Sequence, residues 1–333
     1  MTDFTDLLDL AAERLGGAVL AVSDEFFAPK EALLKAAEPE WREDAYTERG
    51  KWMDGWETIR RRGPGHEWAL IRLGMPGVIR GVVVDTRWFR GNYPDECRLE
   101  GCELPGVPTV DELHAAEWTE IVPRSELSGN APNAFAMNDE RRYTHLRLHI
   151  YPDGGVARLR VYGEARPRFT AYTLAGGEVD LAAMENGGFV EIVSDMFYGH
   201  RQNLILPGRS LFMGDGWETQ RRRGPGYDWS IVRLAAPGVL HRLELDTDHF
   251  KGNAPEHCWI DSIYAPGASA EELAASTQWR PLLARTRLQA HARFRWEEEL
   301  EDVGAVTHVR LNIHPDGGVA RMRVYGTLAQ RER

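Results

Sequence analysis

The chain has 333 residues, 43% of them hydrophobic, and a formal net charge of −11. The acidic balance argues against nucleic acid or an anionic membrane as the main partner, because both attract basic surfaces. The length suffices for two hydrophobic cores. The three cysteines, Cys97, Cys102 and Cys258, lack metal-type spacing, so we expect reduced thiols in a cytoplasmic protein.

The first predicted element is a short N-terminal helix within residues 1–17. The segment from Phe4 onwards has the apolar spacing of an acidic amphipathic helix. It has neither the basic start of a signal peptide nor the long apolar run of a membrane span. We therefore expect no membrane association.

Residues 54–85 are repeated at residues 215–246, at a constant offset of 161 (215 − 54), and 18 of the 32 aligned positions are identical. The repeated residues are charged, aromatic or glycine, as in Asp-Gly-Trp-Glu-Thr followed by three arginines. A repeat kept only for packing should retain its apolar periodicity and let its polar positions vary. The sequence therefore indicates a duplicated module with a polar site, or its remains, in each copy.

The duplication extends through two copies of about 145 residues, each of which has the size of a domain. We place the first repeat at residues 18–165, a linker at 166–187 and the second repeat at 188–333. Both copies end on Arg-Val-Tyr-Gly. The chain is therefore predicted to be a tandem pair.

The apolar runs in each copy are short and separated by Gly, Pro and Asn, which favours an all-β fold. In the second copy Val309, Leu311 and Ile313 alternate with a polar row. A strand buries one set and exposes the other. The tight Pro-Asp-Gly-Gly turn then makes a hairpin with the strand that follows. Two antiparallel β-sandwiches result, with helical patterning otherwise limited to short turns near residues 111–116 and 270–275. The outward-facing row predicted for the two copies comprises His145, Arg147, His149, His308, Arg310, Asn312 and His314.

The repeated charged loop is the main candidate site. Asp215, Glu218 and Asn253 in the second copy correspond to Asp54, Glu57 and Asn92 in the first. A self-neutralising charge cluster, or an Asn side chain that only closes its own turn, would also explain these residues. Their duplication raises the probability that they carry a function.

Two differences favour the second copy. It has His257 where the first copy has Glu96, and His249 where the first has Trp88. An imidazole that titrates near neutral pH suits proton transfer. If only one copy is catalytic, we expect it to be the second. The outward histidines are a poor cation site because an arginine interrupts them, so no metal ligands are assigned.

These motifs, all present twice, resemble the allantoicase (allantoate amidinohydrolase) family. The resemblance rests on Ser-Asp-x-Phe, Asp-Gly-Trp-Glu-Thr-x-Arg-Arg-Arg, Phe-(Lys/Arg)-Gly-Asn and His-x-Arg-Leu-x-Ile-x-Pro-Asp-Gly-Gly, and spans about residues 20–330. It implies two jelly-roll repeats of the galactose-binding-domain type. It also implies hydrolysis of allantoate to ureidoglycolate and urea, a step in purine breakdown through allantoin.

Allantoate carries a carboxylate and two ureido groups on one carbon, and its cleavage needs a base and an acid. For the carboxylate we assign Arg221, Arg222 and Arg223, or Arg233. Proton transfer is assigned to Asp215 and Glu218, with His249 or His257 as alternative acids, and ureido binding to Asn253. The first-copy Asp54, Glu57 and Asn92 are assigned to substrate binding.

The competing hypothesis is a non-catalytic pair of carbohydrate- or small-ligand-binding modules, because jelly rolls often present sugar sites at their loop tips. No cofactor is required by the residues, and a divalent metal such as manganese is left open. Because the polar row and several aromatics are too many for a solvent-facing sheet, we expect a homo-oligomer, as the family implies, of the trimer or hexamer type.

Overall fold

The computed structural model describes residues 4–329 and divides the chain into two compact units, unit 1 (Met1–Pro167) and unit 2 (Arg168–Arg333). Each unit is dominated by one eight-stranded antiparallel sheet. The all-β prediction with two tandem sandwiches is therefore confirmed.

Unit 1 contains twelve strands among its described residues, and one short α-helix, α1 (Val110–Ala115). The strands are β1 (Leu8–Asp9), β2 (Ala18–Val22), β3 (Tyr46–Thr47), β4 (Gly50–Lys51), β5 (Trp56–Glu57), β6 (Glu67–Asp85), β7 (Glu96–Cys102), β8 (Thr119–Glu126), β9 (Pro132–Ala136), β10 (Arg142–Tyr151), β11 (Gly155–Val156) and β12 (Arg158–Ala165). Short 3₁₀ helices occupy Phe4–Asp6, Glu13–Leu15 and Lys30–Leu34.

Unit 2 repeats this order without the β3–β4 hairpin. It begins with a four-residue helix, α2 (Ala171–Leu174), and has α3 (Ala270–Ala275) in the place of α1. Its strands are β13 (Val179–Asp180), β14 (Phe189–Val193), β15 (Trp217–Glu218), β16 (Asp228–Asp246), β17 (His257–Ile263), β18 (Arg280–Arg287), β19 (Arg293–Trp296), β20 (Ala305–His314), β21 (Gly318–Val319) and β22 (Arg321–Leu328). Its 3₁₀ helices are Met184–Asn186, Arg201–Ile205 and Met213–Asp215.

The long strand of each unit builds the sandwich. In unit 2 the first part of β16 pairs with β14 and β20, whereas its second part pairs with β22 and β19. The register with β20 shifts between Arg233 and Gly238, which marks the bend. One strand thus contributes to both layers, and its two ends, at Asp228 and Asp246, return to the same end of the sandwich. In unit 1, β6 does the same.

The predicted N-terminal helix is wrong. Two 3₁₀ turns flank strand β1, and Leu8 and Asp9 pair with Gly163 and Tyr162 of β12. The apolar spacing suits a helix locally, but the backbone joins the sheet instead. Residues 1–3 lie outside the described part.

The second repeat begins earlier than predicted. Val179 and Asp180, within the predicted linker of residues 166–187, pair with β22 just as β1 pairs with β12. Both two-residue strands are therefore part of their sandwiches. The boundary between the units lies at Pro167.

The predicted inward residues Leu146, Leu148, Ile150, Val309, Leu311 and Ile313 are all fully buried. The polar row on the other face is also largely covered, and its cover comes from the same unit. The segment around α1 packs Leu113 and Trp118 on this face, where His145 is only 2% exposed, and the segment around α3 packs Leu273 and Trp279 in unit 2, where His308 is 2% exposed. This row therefore gives no reason to expect a covering subunit.

The helices between residues 4 and 329 are all too short or too polar to cross a bilayer. All three cysteines are buried and unpaired, as predicted. Burial raises the pKa of the Cys97 thiol to about 12 and that of the Cys258 thiol to about 12, so both remain protonated.

Candidate active site

The loops that join the two layers gather at the sandwich end where β16 begins and ends, here called the loop end. In unit 2 it consists of residues 194–200, 206–227, 247–257 and 314–320. The buried Trp217 donates its indole N–H to the carbonyl of Asp195 at 2.9 Å, and Gly318 N–H donates to Asn253 O at 2.9 Å. Fixed main-chain contacts of this kind hold functional side chains in place.

The glycines of the Pro-Asp-Gly-Gly turn are required for this assembly. A Cβ atom on Gly318 would lie 1.9 Å from the ring of Phe250, and one on Gly155 would lie 1.9 Å from the ring of Phe89. Only glycine lets the turn approach the buried aromatic ring this closely. The repeated Phe and Gly-Gly motifs are therefore explained by packing.

Glu218 and Asn253 meet at the loop end. The Asn253 Nδ2 atom donates to Glu218 Oε1, and the Glu218 side chain is 8% exposed. Burial raises the pKa of Glu218 above its usual value, and the Asn253 hydrogen bond offsets part of that shift. In unit 1, Asn92 donates to Glu57 at 2.6 Å and burial likewise raises the pKa of Glu57. Residues predicted from separate motifs thus form one pair in each unit.

The predicted acids Asp215 and Asp54 lie in a different environment. Asp215 Oδ2 accepts from Arg321 Nη2 at 2.9 Å, and Asp54 Oδ2 accepts from Arg158 Nη2 at 2.7 Å. Arg321 is 4% exposed and Arg158 is fully buried. Each arginine also donates to the main-chain carbonyl of its aspartate. Proton transfer by Asp215 does not fit this position, because the carboxylate is the counter-ion of a buried cation.

The lowered pKa of Asp54 shows that its hydrogen bonds outweigh the effect of its burial. Burial alone would raise that pKa, but the hydrogen bonds from Arg158, the Glu40 N–H and Lys35 outweigh burial and hold it below its usual value. Asp54 therefore stays ionised. The structure places Asp54 in an ion pair with Arg158, and its part in substrate binding stays a prediction.

Of the three repeated arginines of unit 2, Arg222 is held by partners in the part of the protein that the structure describes, whereas Arg221 and Arg223 are not. Arg222 pairs with the buried Asp228, and its N–H donates to Asp316 Oδ2 at 2.8 Å. Arg221 and Arg223 on either side are exposed, and neither has a hydrogen bond or ion pair with any residue between 4 and 329. Unit 1 anchors Arg61 on Glu67 and Asp153 in the same way. Two guanidinium groups of the loop in unit 2 are thus available to an anionic ligand.

Arg233 does not belong to the loop end. It lies five residues along β16 from Asp228, roughly 16 Å at strand spacing, and pairs with Glu191 at 2.6 Å. Its position does not support its assignment to the substrate carboxylate, and we propose no such role for it. Strand periodicity places it on the sheet face, beyond the reach of the loops.

His249 supports the loop rather than facing a ligand. Its φ is 71°, its Nε2 lies 3.1 Å from the carbonyl oxygen of Ser210, and its main-chain N–H donates to His291 at 2.9 Å. The equivalent Trp88 has φ 72° and donates its indole N–H to Pro39 O at 2.9 Å. Because Trp and His make the same ring-to-carbonyl contact, the difference between copies does not identify a catalytic acid.

Comparison with known proteins decides the family. The model of the allantoicase repeat matches residues 8–166 and 179–329. A probable allantoicase of Pseudomonas paraeruginosa is 49% identical over 324 residues, which cover 97% of this chain and 96% of that protein. An allantoicase of Dictyostelium discoideum is 45% identical over 96% of this chain and 87% of its own length. The chain belongs to the allantoicase family.

A solved structure extends this result to the fold. The crystal structure of an allantoicase from Saccharomyces cerevisiae superimposes with a TM-score of 0.77 at 32% identity, over 96% of this chain and 92% of that one. The matched repeats begin at residues 8 and 179, which agrees with the positions of β1 and β13. Both Glu–Asn pairs lie inside matched allantoicase repeats.

The two units carry different titratable groups next to these loops. In unit 1, His66 Nε2 lies 2.8 Å from His149 Nδ1, and His149 Nε2 lies 2.8 Å from Glu100 Oε2. Burial lowers the pKa of His149 to about 4, although the Glu100 hydrogen bond opposes the shift. His66 opens into a cavity of about 350 Å³ lined also by Asp95, Arg124 and Tyr151.

The contacts among His66, His149 and Glu100 were not predicted from the sequence. A difference between the two copies could have pointed to these residues. Unit 1 has His66, His149 and Glu100 where unit 2 has Tyr227, Asn312 and Asp261. Unit 2 has a different pair of imidazoles. His257 on β17 lies beside His314 on β20, and their Cα atoms are paired across the two strands. The predicted His257 is therefore at the loop end, with a second imidazole as its neighbour.

Proposed function

We propose that this protein hydrolyses allantoate to ureidoglycolate and urea at the loop end of unit 2. Family membership supports the reaction. The observation that supports a site at the loop end is a buried carboxyl, Glu218, which accepts from Asn253 and lies on the same loop as the exposed Arg221 and Arg223. Unit 1 has the equivalent pair, so the choice between the units rests on the difference described below. A ligand that offers one carboxylate and ureido groups matches this set of donors and acceptors.

In this scheme Arg221 and Arg223 bind the substrate carboxylate, and Asn253 binds a ureido group. Glu218 accepts a proton from water as the water oxygen bonds to the central carbon. The bond from that carbon to one ureido nitrogen breaks, and Glu218 returns the proton to the departing nitrogen, which leaves as urea. A carboxyl with a raised pKa suits both halves of this transfer. Asp215 holds the loop on Arg321 and moves no proton.

The second unit is proposed as the dominant site because the first is more enclosed. From Phe27 to Asp54 unit 1 advances 27 positions, against 17 from Tyr198 to Asp215, so it has ten additional residues there. The extra length includes the β3–β4 hairpin, whose Lys51 lies 4.8 Å from the ring centre of Trp41. The loop end of unit 2 has no such hairpin among its described residues.

Urea release is the test of this proposal. Purified protein should release urea from allantoate and none from allantoin, because only the opened ring presents the carboxylate and the second ureido group. A folded protein that bound simple sugars and released no urea between pH 6 and 9, with or without added manganese, would favour the binding-module hypothesis.

We also propose a homo-oligomer, of the trimer or hexamer type, in the cytoplasm. The support is no longer the polar row but a set of exposed apolar side chains at the loop end of unit 2: Phe197, Tyr198, Leu211 and Phe212. Exposed apolar groups of this size commonly mark contact surfaces. Light scattering at micromolar concentration should give a mass several times that of the chain, and a strictly monomeric species would contradict the proposal.

A further inference from the structure

Glu256, His257 and His314 form a compact cluster at the loop end of unit 2. The Cα atoms of His257 and His314 are paired across β17 and β20, and Glu256 N–H donates to His314 O at 2.9 Å. One ligand atom from each of the three side chains can be chosen so that all lie within 4.8 Å of one another. Among residues 4–329 this is the one such group of three histidine, cysteine or acidic residues.

The two imidazoles have unused hydrogen-bonding capacity. The Nδ1 atoms of His257 and His314 are shielded from solvent, and neither has a hydrogen-bond partner in the described part of the chain. Buried polar atoms without partners are uncommon in native proteins and call for an explanation, an unseen ion being one of them. The scheme proposed for allantoate hydrolysis uses neither ring.

We propose that Glu256, His257 and His314 bind one divalent first-row transition-metal ion. Two imidazoles and a carboxylate are a ligand set suited to zinc and its neighbours, with water in the remaining position. A tetrahedral ion separates its ligand atoms by roughly 3.4 Å, so the side chains must close by at most about 1.4 Å from the separations of up to 4.8 Å seen here. Glu256 is exposed, which leaves its carboxylate free to make that movement.

Unit 1 provides the internal contrast. Its equivalent residues are Asp95, Glu96 and Tyr151, on the same backbone, since Glu96 pairs with Tyr151 and Asp95 N–H donates to Tyr151 O at 2.8 Å. Unit 1 therefore has no imidazole at either position, and its Glu96 is paired with Arg124. The proposed metal site is therefore specific to unit 2, and it goes beyond the proposed function.

The ion would lie beside the loop that carries the free arginines. Pro315 separates His314 from Asp316, and Asp316 accepts the main-chain N–H of Arg222. A bound cation would add positive charge at this end of the sandwich, whether or not it takes part in hydrolysis.

Metal binding itself is the readout of the test. Full-length protein stripped with a chelator and dialysed should bind one Zn²⁺ per chain, with a Kd of about 10 µM or tighter in calorimetry. His314→Tyr, which installs the residue of unit 1, should weaken binding at least roughly tenfold. His241→Tyr makes the same change at an exposed histidine on β16 and should leave the stoichiometry at one.

A second variant guards against misfolding. Glu256→Gln changes an exposed side chain, so it should leave the metal-free melting temperature unchanged and still weaken Zn²⁺ binding. Added Zn²⁺ should raise the melting temperature of the wild type and of His241→Tyr, but not of His314→Tyr. Absence of Zn²⁺ binding by the wild type, or full binding by both His314→Tyr and Glu256→Gln, would overturn the proposal. So would tighter binding of Mn²⁺ than of Zn²⁺, because imidazole ligands favour zinc.

Discussion

Glu218 and Asp215 are three residues apart and have similar chemistry, yet their environments separate their roles. Glu218 is buried beside a neutral amide, so its pKa rises, whereas Asp215 balances the charge of Arg321. A buried carboxyl without a neighbouring cation is suited to take and return a proton, whereas a carboxyl paired with a buried arginine serves as its counter-ion. The partner of each carboxyl, rather than its type, determines what it can do.

Glu218→Gln should reduce kcat/KM at least roughly tenfold, about 1.4 kcal/mol of transition-state stabilisation. The amide still accepts the Asn253 hydrogen bond but cannot carry a proton. Urea production from allantoate measures the effect.

The same substitution should not destabilise the fold at neutral pH. Because the folded-state pKa of Glu218 is raised, the stability that its carboxyl contributes is fully present below the usual pKa and is lost as pH rises through the raised value. The melting temperature of Glu218→Gln relative to wild type should therefore be higher at pH 8 than at pH 4. The opposite trend would show that the carboxylate is stabilised by a partner.

Asp215→Asn should act through stability. Removing one member of a buried ion pair costs about 3–5 kcal/mol because the other charge remains buried, and Arg321 is buried here. Denaturant unfolding measures this cost, with Glu297→Gln as control, since the pair of Glu297 with Arg295 is exposed and should contribute little to stability. Equal effects of the two variants would refute this assignment.

At residue scale, duplication was sufficient to find Glu218, Asn253 and the arginine loop. It was insufficient to tell Glu218 from Asp215, because both are repeated without change. The distinction depends on Arg321, which lies 106 residues from Asp215 in sequence and meets it only in the folded sandwich.

The Pro-Asp-Gly-Gly turn is the element that orders the arginine loop. Asp316 accepts the N–H of Arg222 while the Arg222 side chain pairs with Asp228, so the loop is held at its middle and its outer arginines are free. A preorganised pair of cations binds an anion at lower entropic cost than a mobile one.

Asp316→Ala should therefore raise KM about two- to tenfold, the value of one hydrogen bond, with a smaller effect on kcat. Asp316→Asn retains an acceptor oxygen and should restore most of the affinity. The matched change in unit 1, Asp153→Ala, removes the equivalent bond to Arg61 and should leave KM unchanged. A loss confined to kcat would contradict a positioning role.

Strand periodicity predicted the inward faces of β10 and β20 because alternation is a local property. The N-terminal segment was mistaken for a helix for the same reason. Its apolar spacing suits a helix, but the edge of β12 offers backbone partners that no local pattern reveals, and Leu10 N–H donates to Val161 O at 2.7 Å. Long-range strand pairing overrides a weak local preference.

Across the whole molecule, the two units share a scaffold but differ in what their loop ends present. Each retains a Glu–Asn pair and an anchored arginine, whereas the imidazoles differ in position and partners. The family, and the tandem fold, could be predicted from the repeated motifs. The cover over the polar row could not, because the helical pattern near residues 113 and 273 does not show which sheet face these segments pack on.

The units can be compared directly through one matched pair of substitutions. If the loop end of unit 2 dominates hydrolysis, Glu218→Gln should lower kcat/KM at least roughly tenfold and Glu57→Gln should lower it by less than about threefold. Both changes replace a carboxyl whose pKa is raised by burial and which accepts from an asparagine, so their structural costs should be similar. Assays should be run at a temperature well below both melting points. Equal losses would indicate an active site in each unit, and a loss found only in Glu57→Gln would assign hydrolysis to unit 1.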